Sequence, residues 1–175
     1  MEDLPMHIQP RLAQRKSIVH QRGFWAVREC FNSLDLNPNL IDYAPDGAPL
    51  YPDGEVSISH SKSMAAVVKA PKAVGIDIEQ YTSKIHRIQP RFQHPAETFQ
   101  GDITKGLVQL WTAKEALYKT LRIPGISFKE QLRVTPFQLG DSLGDACFLD
   151  GKNKRQFRLH YFYTEAYVAT IALEK

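Results

Sequence analysis

The alternation of apolar and polar side chains is sharpest over residues 74–79, Val-Gly-Ile-Asp-Ile-Glu. An extended chain sends successive side chains to opposite faces, so Ile76 and Ile78 share one face and Asp77 and Glu79 the other. Residues 55–61 alternate in the same way with Val56 and Ile58 inward, and residues 64–70 read as a second strand. The Pro71-Lys72 turn leads back into 74–79, and turn spacing predicts one meander of three short strands. Residues 103–121 switch to the helical period. Leu107, Leu110, Leu117, Tyr118 and Leu121 share an arc with Trp111 at its edge, and Asp102 stands where an N-cap is expected. Upstream, the pattern from Arg11 to about Leu34 is helical too, with Ile18, Trp25, Cys30 and Leu34 among its apolar positions.

Between these elements, residues 37–54 carry Pro38, Pro45, Pro49 and Pro52 and two glycines, which predicts a loop of tight turns. Residues 81–100 are polar and broken by Pro90 and Pro95, so only short helical turns are expected, around 91–92 and 96–99. Beyond Pro124-Gly125, segments 131–135, 146–149, 156–163 and 167–173 read as strands separated by Gly-Asp and Gly-Lys turns. Helix followed by strands thus occurs twice. The expected fold class is α+β, with two similar halves, 1–72 and 73–175, each a helix packed on a small antiparallel sheet, although no sequence repeat is visible.

This patterning aims specific groups at one another. Asp77 and Glu79 project side by side from a hydrophobically anchored strand, and Glu115 with Lys119 follows on the long helix. Three carboxylates and a lysine on rigid elements suit Mg²⁺ and a phosphorylated substrate, because a hard cation takes oxygen ligands and bridges phosphates. Taken singly, the strand pair also reads as solvated surface, and Glu115 with Lys119 as a helix-stabilising pair contributing ~0.2 to 0.5 kcal/mol. Gly75 permits close approach of a second backbone or a ligand. Residues 11–28 hold five Lys or Arg and no acid, a basic face that either meets water or clamps phosphate. Lys114 falls inside the apolar arc, where either its stem snorkels across the core, the expected case, or its amine meets an anion at the rim. His60 has no Asp in sequence to complete a nucleophile triad, and His94 reads as structural.

Composition narrows the classes. With 175 residues, 43% hydrophobic and 23% charged, the chain is globular, and its net charge of +3 favours an anionic partner while being too mild for nucleic acid. Cys30 and Cys147 lack metal-type spacing and read as free thiols. The start, Met-Glu-Asp-Leu-Pro, lacks the order of a secretory leader and no run is long enough to span a membrane, so the cytoplasm is the expected location.

Gly75-Ile76-Asp77-Ile78-Glu79 followed by Trp111-Thr112-Ala113-Lys114-Glu115-Ala116 and Lys119 resembles the paired signature of the 4'-phosphopantetheinyl transferase superfamily. Ser57-Ile58-Ser59-His60-Ser61, Arg91-Phe92 followed by Glu97, and Gly47-Ala48-Pro49 extend the resemblance over about residues 15–119. Size, and a Glu two residues after the Asp, make the chain similar to the single-chain Sfp-like pseudodimers. The resemblance implies transfer of the 4'-phosphopantetheine arm of coenzyme A to a serine of an apo acyl or peptidyl carrier protein, releasing adenosine 3',5'-bisphosphate. The alternative is a catalytically silent relative that binds coenzyme A or a carrier. By the same resemblance, Asp77, Glu79 and Glu115 hold Mg²⁺ or Mn²⁺, with Asp77 also on the coenzyme. Glu115, or a water beside the cation, takes the serine proton, and Lys119 offsets charge on the bridging and leaving oxygens. Ser59 and His60 contact the coenzyme phosphates, Arg15 and Arg22 lie near the coenzyme 3'-phosphate, and Gly47 and Pro49 shape the adenine side. The half 1–72 becomes the coenzyme clamp and 73–175 the half with the metal site and catalytic helix, in a monomer. Ala48 stands where many members carry Lys, so one cation is missing on the coenzyme side.

Overall fold

The computed structural model describes residues 4–6 and 8–175, and of Arg11 the backbone alone. Residues 1–3, part of the stretch read for a leader, lie outside the described residues. The chain opens with α1 (Gln9–Ala13) and α2 (Ile18–Ser33), where one helix from Arg11 is predicted. The break has a local cause: Ser17 turns extended and its hydroxyl accepts from the amide of His20, which starts α2 afresh as an N-cap.

A 3₁₀ turn (Pro38–Leu40) and a minimal pair of strands, β1 (Asp42–Tyr43) and β2 (Pro49–Leu50), occupy the proline-rich stretch. The hairpin β3 (Glu55–Ser61) and β4 (Met64–Ala70) follows, then β5 (Val74–Gln80). Next comes α3 (Ile85–Phe92), a longer helix than the proline-broken sequence predicts. Burial of Ile85 and Phe92 outweighs the one backbone bond that Pro90 cannot make. After β6 (Phe99–Gln100), α4 (Ile103–Leu121) runs over the predicted span, its first turn capped by Asp102 accepting from the Lys105 amide. The chain closes with β7 (Leu132–Val134), β8 (Phe137–Gln138), β9 (Leu143–Asp150), β10 (Asn153–Tyr163) and β11 (Tyr167–Glu174).

The strands do not form the expected meander. β5 leaves the β3–β4 hairpin and becomes the edge of a five-stranded antiparallel sheet in the order β5-β11-β10-β9-β7, with Asp77 opposite Thr170 and Glu79 opposite Val168. The reason lies in the serines of β3. Ser57 Oγ accepts from the Ile76 amide at 3.0 Å and Ser59 Oγ from the Ile78 amide at 3.2 Å, so hydroxyls rather than β3 carbonyls satisfy the outer edge of β5.

Two large cores and a small third cluster, Ile78 with Tyr167 and Ala169, form among the described residues, and the fold is α+β. Leu107, Leu110 and Leu117 of α4 pack with Phe92 and with Leu132, Phe157 and Leu159 of the large sheet. Phe24, Val27 and Phe31 of α2 pack with Ile8 and Ile41 against Ile58 and Val67 of the hairpin. The third cluster joins the two, since Ala66 of β4 packs against Ile78 of β5 and Tyr167 and Ala169 of β11. Lys114 corrects the snorkelling expectation: it is 0% exposed, and its amine donates to Glu97 and to the carbonyls of Phe92, Phe128 and Leu132.

Candidate active site

The site forms where β5 presses against α4 beside β3. A Cβ added to Gly75 would lie 1.9 Å from the Ala116 carbonyl oxygen, so glycine alone lets strand and helix meet this closely. Asp77 and Glu79 continue along the same helix-facing side and meet the face bearing Glu115 and Lys119. The Lys119 amine donates to Asp77 Oδ1 at 2.7 Å and to the Ile76 carbonyl at 2.9 Å, with Ile58 O farther at 3.4 Å. From β3, Ser59 donates to the same Asp77 oxygen and Ser61 to Glu79 Oε2, both at 2.8 Å. Two serines in strand register thus hold two carboxylates in strand register.

The charges do not balance. Burial first, and then the charges of Asp77 and Glu79, push the Glu115 carboxyl up to about 7, with Lys119 opposing. Glu79 is raised as well, by burial first and by Asp77, against the Ser61 hydrogen bond and Lys119. Asp77 is 5% exposed, and its Oδ2 is buried with no hydrogen-bond partner. Among the described residues no three His, Cys, Asp or Glu side chains stand ready as a metal cage. The surplus of carboxylate and the orphaned oxygen nevertheless fit a divalent cation, which would supply the missing positive charge and the missing partner.

The family model of the 4'-phosphopantetheinyl transferase superfamily matches residues 73–172. The chain belongs to this superfamily. It is therefore a member of a family of transferases that move the phosphopantetheinyl group, and the matched span contains Asp77, Glu79, Glu115 and Lys119. No individually curated protein matches the chain.

The other expected site residues of this superfamily member lie before the matched span, and they divide. Arg15, Gly47, Pro49 and His60 line one cavity of about 200 Å³ between α2 and β3. Burial, and then the neighbouring Arg15 charge, hold the His60 imidazole below its usual range, so it is neutral at pH 7. Arg15 lies 5.3 Å from the Phe24 ring, and its Nε is buried without a partner. Arg22 is exposed on α2 and lines neither this cavity nor the next. Ser59 is buried, with its hydroxyl occupied between the Ile78 amide and Asp77. A second cavity, about 320 Å³, shares Gly47, Pro49 and Ile58 with the first and reaches Lys119.

Two groups escaped the sequence reading. Glu97, known only as part of a resemblance, is the carboxylate that meets buried Lys114 at 2.7 Å, and the amides of His94 and Val134 donate to its two oxygens. Lys114 in the apolar arc was the signal for it. Ser61 gave a weaker signal, its i,i+2 spacing from Ser59, which repeats that of Asp77 and Glu79. Cys30 and Cys147 are free, and no helix among the described residues is long and apolar enough to cross a membrane.

Proposed function

We propose that the chain transfers the 4'-phosphopantetheine arm of coenzyme A to a serine hydroxyl of an apo carrier protein, releasing adenosine 3',5'-bisphosphate. The reading includes a cytoplasmic monomer that uses Mg²⁺ or Mn²⁺. One observation carries it: Asp77 and Glu79 of a strand and Glu115 of a helix repel one another around a single lysine, with a buried Asp77 oxygen unpartnered. Asp77, Glu79 and Glu115 would hold the divalent cation, which when bound would supply charge neutralisation for the coenzyme diphosphate. The residues of the chain supply the rest.

In the transfer, the carrier serine loses its proton to Glu115 as its oxygen bonds to the phosphorus that bears the pantetheine arm. The bridging P–O bond breaks, and the leaving adenosine 3',5'-bisphosphate keeps the electron pair. The Glu115 value of about 7 belongs to the cation-free site, and a divalent cation beside it would favour the ionised carboxylate, the form that accepts the serine proton. The Lys119 amine offsets charge as it builds on the bridging oxygen. Arg15 and neutral His60 receive the nucleotide phosphates in the first cavity, with Gly47 and Pro49 at the join to the second. Ser59 and Ser61 act through the carboxylates they hold, a role for Ser59 that replaces direct phosphate contact. The net charge of +3 suits the acidic helices of carrier proteins, so association weakens with added salt.

The test is incubation with coenzyme A, Mg²⁺ and a panel of apo carrier proteins, followed by mass spectrometry of the carriers. A carrier heavier by one phosphopantetheine supports the transfer. No addition to any carrier, with coenzyme A still bound, identifies a silent binding relative instead.

A further inference from the structure

β11 contributes no residue to the site described above, yet it carries a buried hydroxyl that meets the helix bearing Glu115. Thr170 is 0% exposed and stands opposite Asp77 in the pairing of β11 with β5. Its Oγ1 lies 2.8 Å from Oγ1 of Thr112, which is also 0% exposed and sits on α4 one turn before Glu115. The protons in this contact can be followed. Thr112 donates its hydroxyl hydrogen to the Gln109 carbonyl of its own helix at 2.9 Å, so between the two threonines Thr170 donates and Thr112 accepts.

Stability does not explain the two hydroxyls. Valine has the same shape, and replacing both partners of a buried hydrogen bond by apolar groups of equal shape is close to neutral. What valine lacks is direction. Apolar contact changes gently as a helix slides along a sheet, whereas a hydrogen bond weakens steeply off its line. The Gly75 contact sets how close α4 comes to β5, but a residue without a side chain fixes no position along the strand. The threonine pair does. A second fixed point follows further down the helix, where the Thr120 hydroxyl lies 2.8 Å from the Ala116 carbonyl of α4 and 3.2 Å from the Ala172 carbonyl of β11. Glu115 and Lys119 lie between these two points in the chain, and β11 is itself paired with the strand that carries Asp77 and Glu79.

We propose that Thr170 is a positioning residue for Glu115, and that its hydroxyl, acting through Thr112, sets the distance between that carboxylate and the pair on β5. The inference rests on the transfer reading above and adds to it a residue of β11.

The experiment compares the natural protein with Thr170→Val and Thr170→Ser in three measurements: Mn²⁺ affinity from the electron paramagnetic resonance of the free ion, the melting temperature, and kcat and KM for coenzyme A at saturating Mg²⁺. Thr170→Val strands no buried donor, because Thr112 keeps the Gln109 carbonyl. It should melt no more than about 2 °C below the natural protein, bind Mn²⁺ roughly 10-fold more weakly and turn over roughly 10-fold more slowly, with KM moving less than about twofold. Thr170→Ser keeps the donor and loses a buried methyl, so it should melt roughly 2–4 °C lower while Mn²⁺ affinity and kcat stay within about twofold of natural. Stability and cation affinity thus part company in opposite senses, which a packing role for Thr170 does not produce. Thr170→Val binding Mn²⁺ within about twofold of the natural protein overturns the proposal, and so does Thr170→Ser binding it as weakly as the valine variant. If the natural protein transfers the arm and binds Mn²⁺ while both variants match it, Thr170 alone is misassigned. If it neither binds Mn²⁺ nor transfers, the transfer reading falls and takes this proposal with it.

Discussion

Lys114 and Lys119 stand on the same helix, and each meets a carboxylate at 2.7 Å. Around Lys114 everything is satisfied. Its amine has Glu97 and three backbone carbonyls, and both Glu97 oxygens accept backbone amides besides. Burial lowers the affinity of the Lys114 amine for a proton, and the hydrogen bond and charge of Glu97 oppose that shift. Around Lys119 the account is left open. One amine faces three carboxylates, an Asp77 oxygen is orphaned, and the side chain keeps 28% of its surface in reach of solvent. Equal distances therefore conceal opposite uses: the closed pair ties α3, α4 and β7 together, and the open pair waits for charge from outside.

The comparison breaks most sharply at Glu115. Glu115→Gln keeps the size of the side chain and removes a carboxylate, and we expect transfer to fall by roughly 10²- to 10⁴-fold with the circular dichroism spectrum unchanged. A variant with near-natural rates would mean that neither the base nor the cation ligand has been identified correctly. The counterpart on the closed side is Lys114→Ala. It strands the Glu97 charge in the core, which costs roughly 3–5 kcal/mol of stability, measured by urea denaturation. If Lys114→Ala instead folds normally and loses only transfer, the two lysines are alike and the distinction fails.

The carboxylates, the glycine before them and the cap of α4 were legible because each depends on local periodicity. Asp77 and Glu79 follow from period two, and Glu115 and Lys119 from the helical period. Gly75 announced a close approach, which proves to be the Ala116 carbonyl. What depended on which strand lies beside which was not legible. The meander expectation failed because turn spacing says that β4 and β5 are consecutive, and not that β5 trades its neighbour for β11. The serine bridges from β3 to β5 follow from that exchange, so the hydrogen bond of Ser59 to Asp77 could not be read from the alternation of β3 alone. Lys114 was misread for a related reason. Its partner Glu97 lies in a stretch without periodicity, and a lysine in an apolar arc says only that something compensates it.

pH sharpens the contrast at smaller amplitude. Glu115 titrates near 4.5 when unfolded and at about 7 in the folded protein. A raised carboxyl binds its proton more tightly in the native state, so its stabilisation is complete below about pH 4.5 and is lost as pH rises through about 7. Glu79 shifts in the same direction. Discounted for partial exposure, the loss between pH 5 and pH 8 is about 1–2 kcal/mol in the absence of divalent cation. Thermal melts should show that loss, Mg²⁺ should restore the melting temperature at pH 8, and Glu115→Gln should be less sensitive to both. A natural protein equally stable at the two pH values would remove the electrostatic basis of the open site.

The smallest effect tests how the open side is held. Ser61→Ala deletes one hydrogen bond to Glu79, worth about 1 kcal/mol at most at a half-buried position, because water can replace the hydroxyl. That bond fixes the direction of one carboxylate and does nothing to its charge. Affinity for Mn²⁺, read from the electron paramagnetic resonance of the free ion, should therefore fall about fivefold, while affinity for adenosine 3',5'-bisphosphate without cation stays put. Ser61→Thr, which keeps the hydroxyl, should recover most of the loss. If alanine and threonine bind Mn²⁺ equally well, Glu79 needs no orientation from β3, and the serine register serves only to dock the hairpin on the edge of β5.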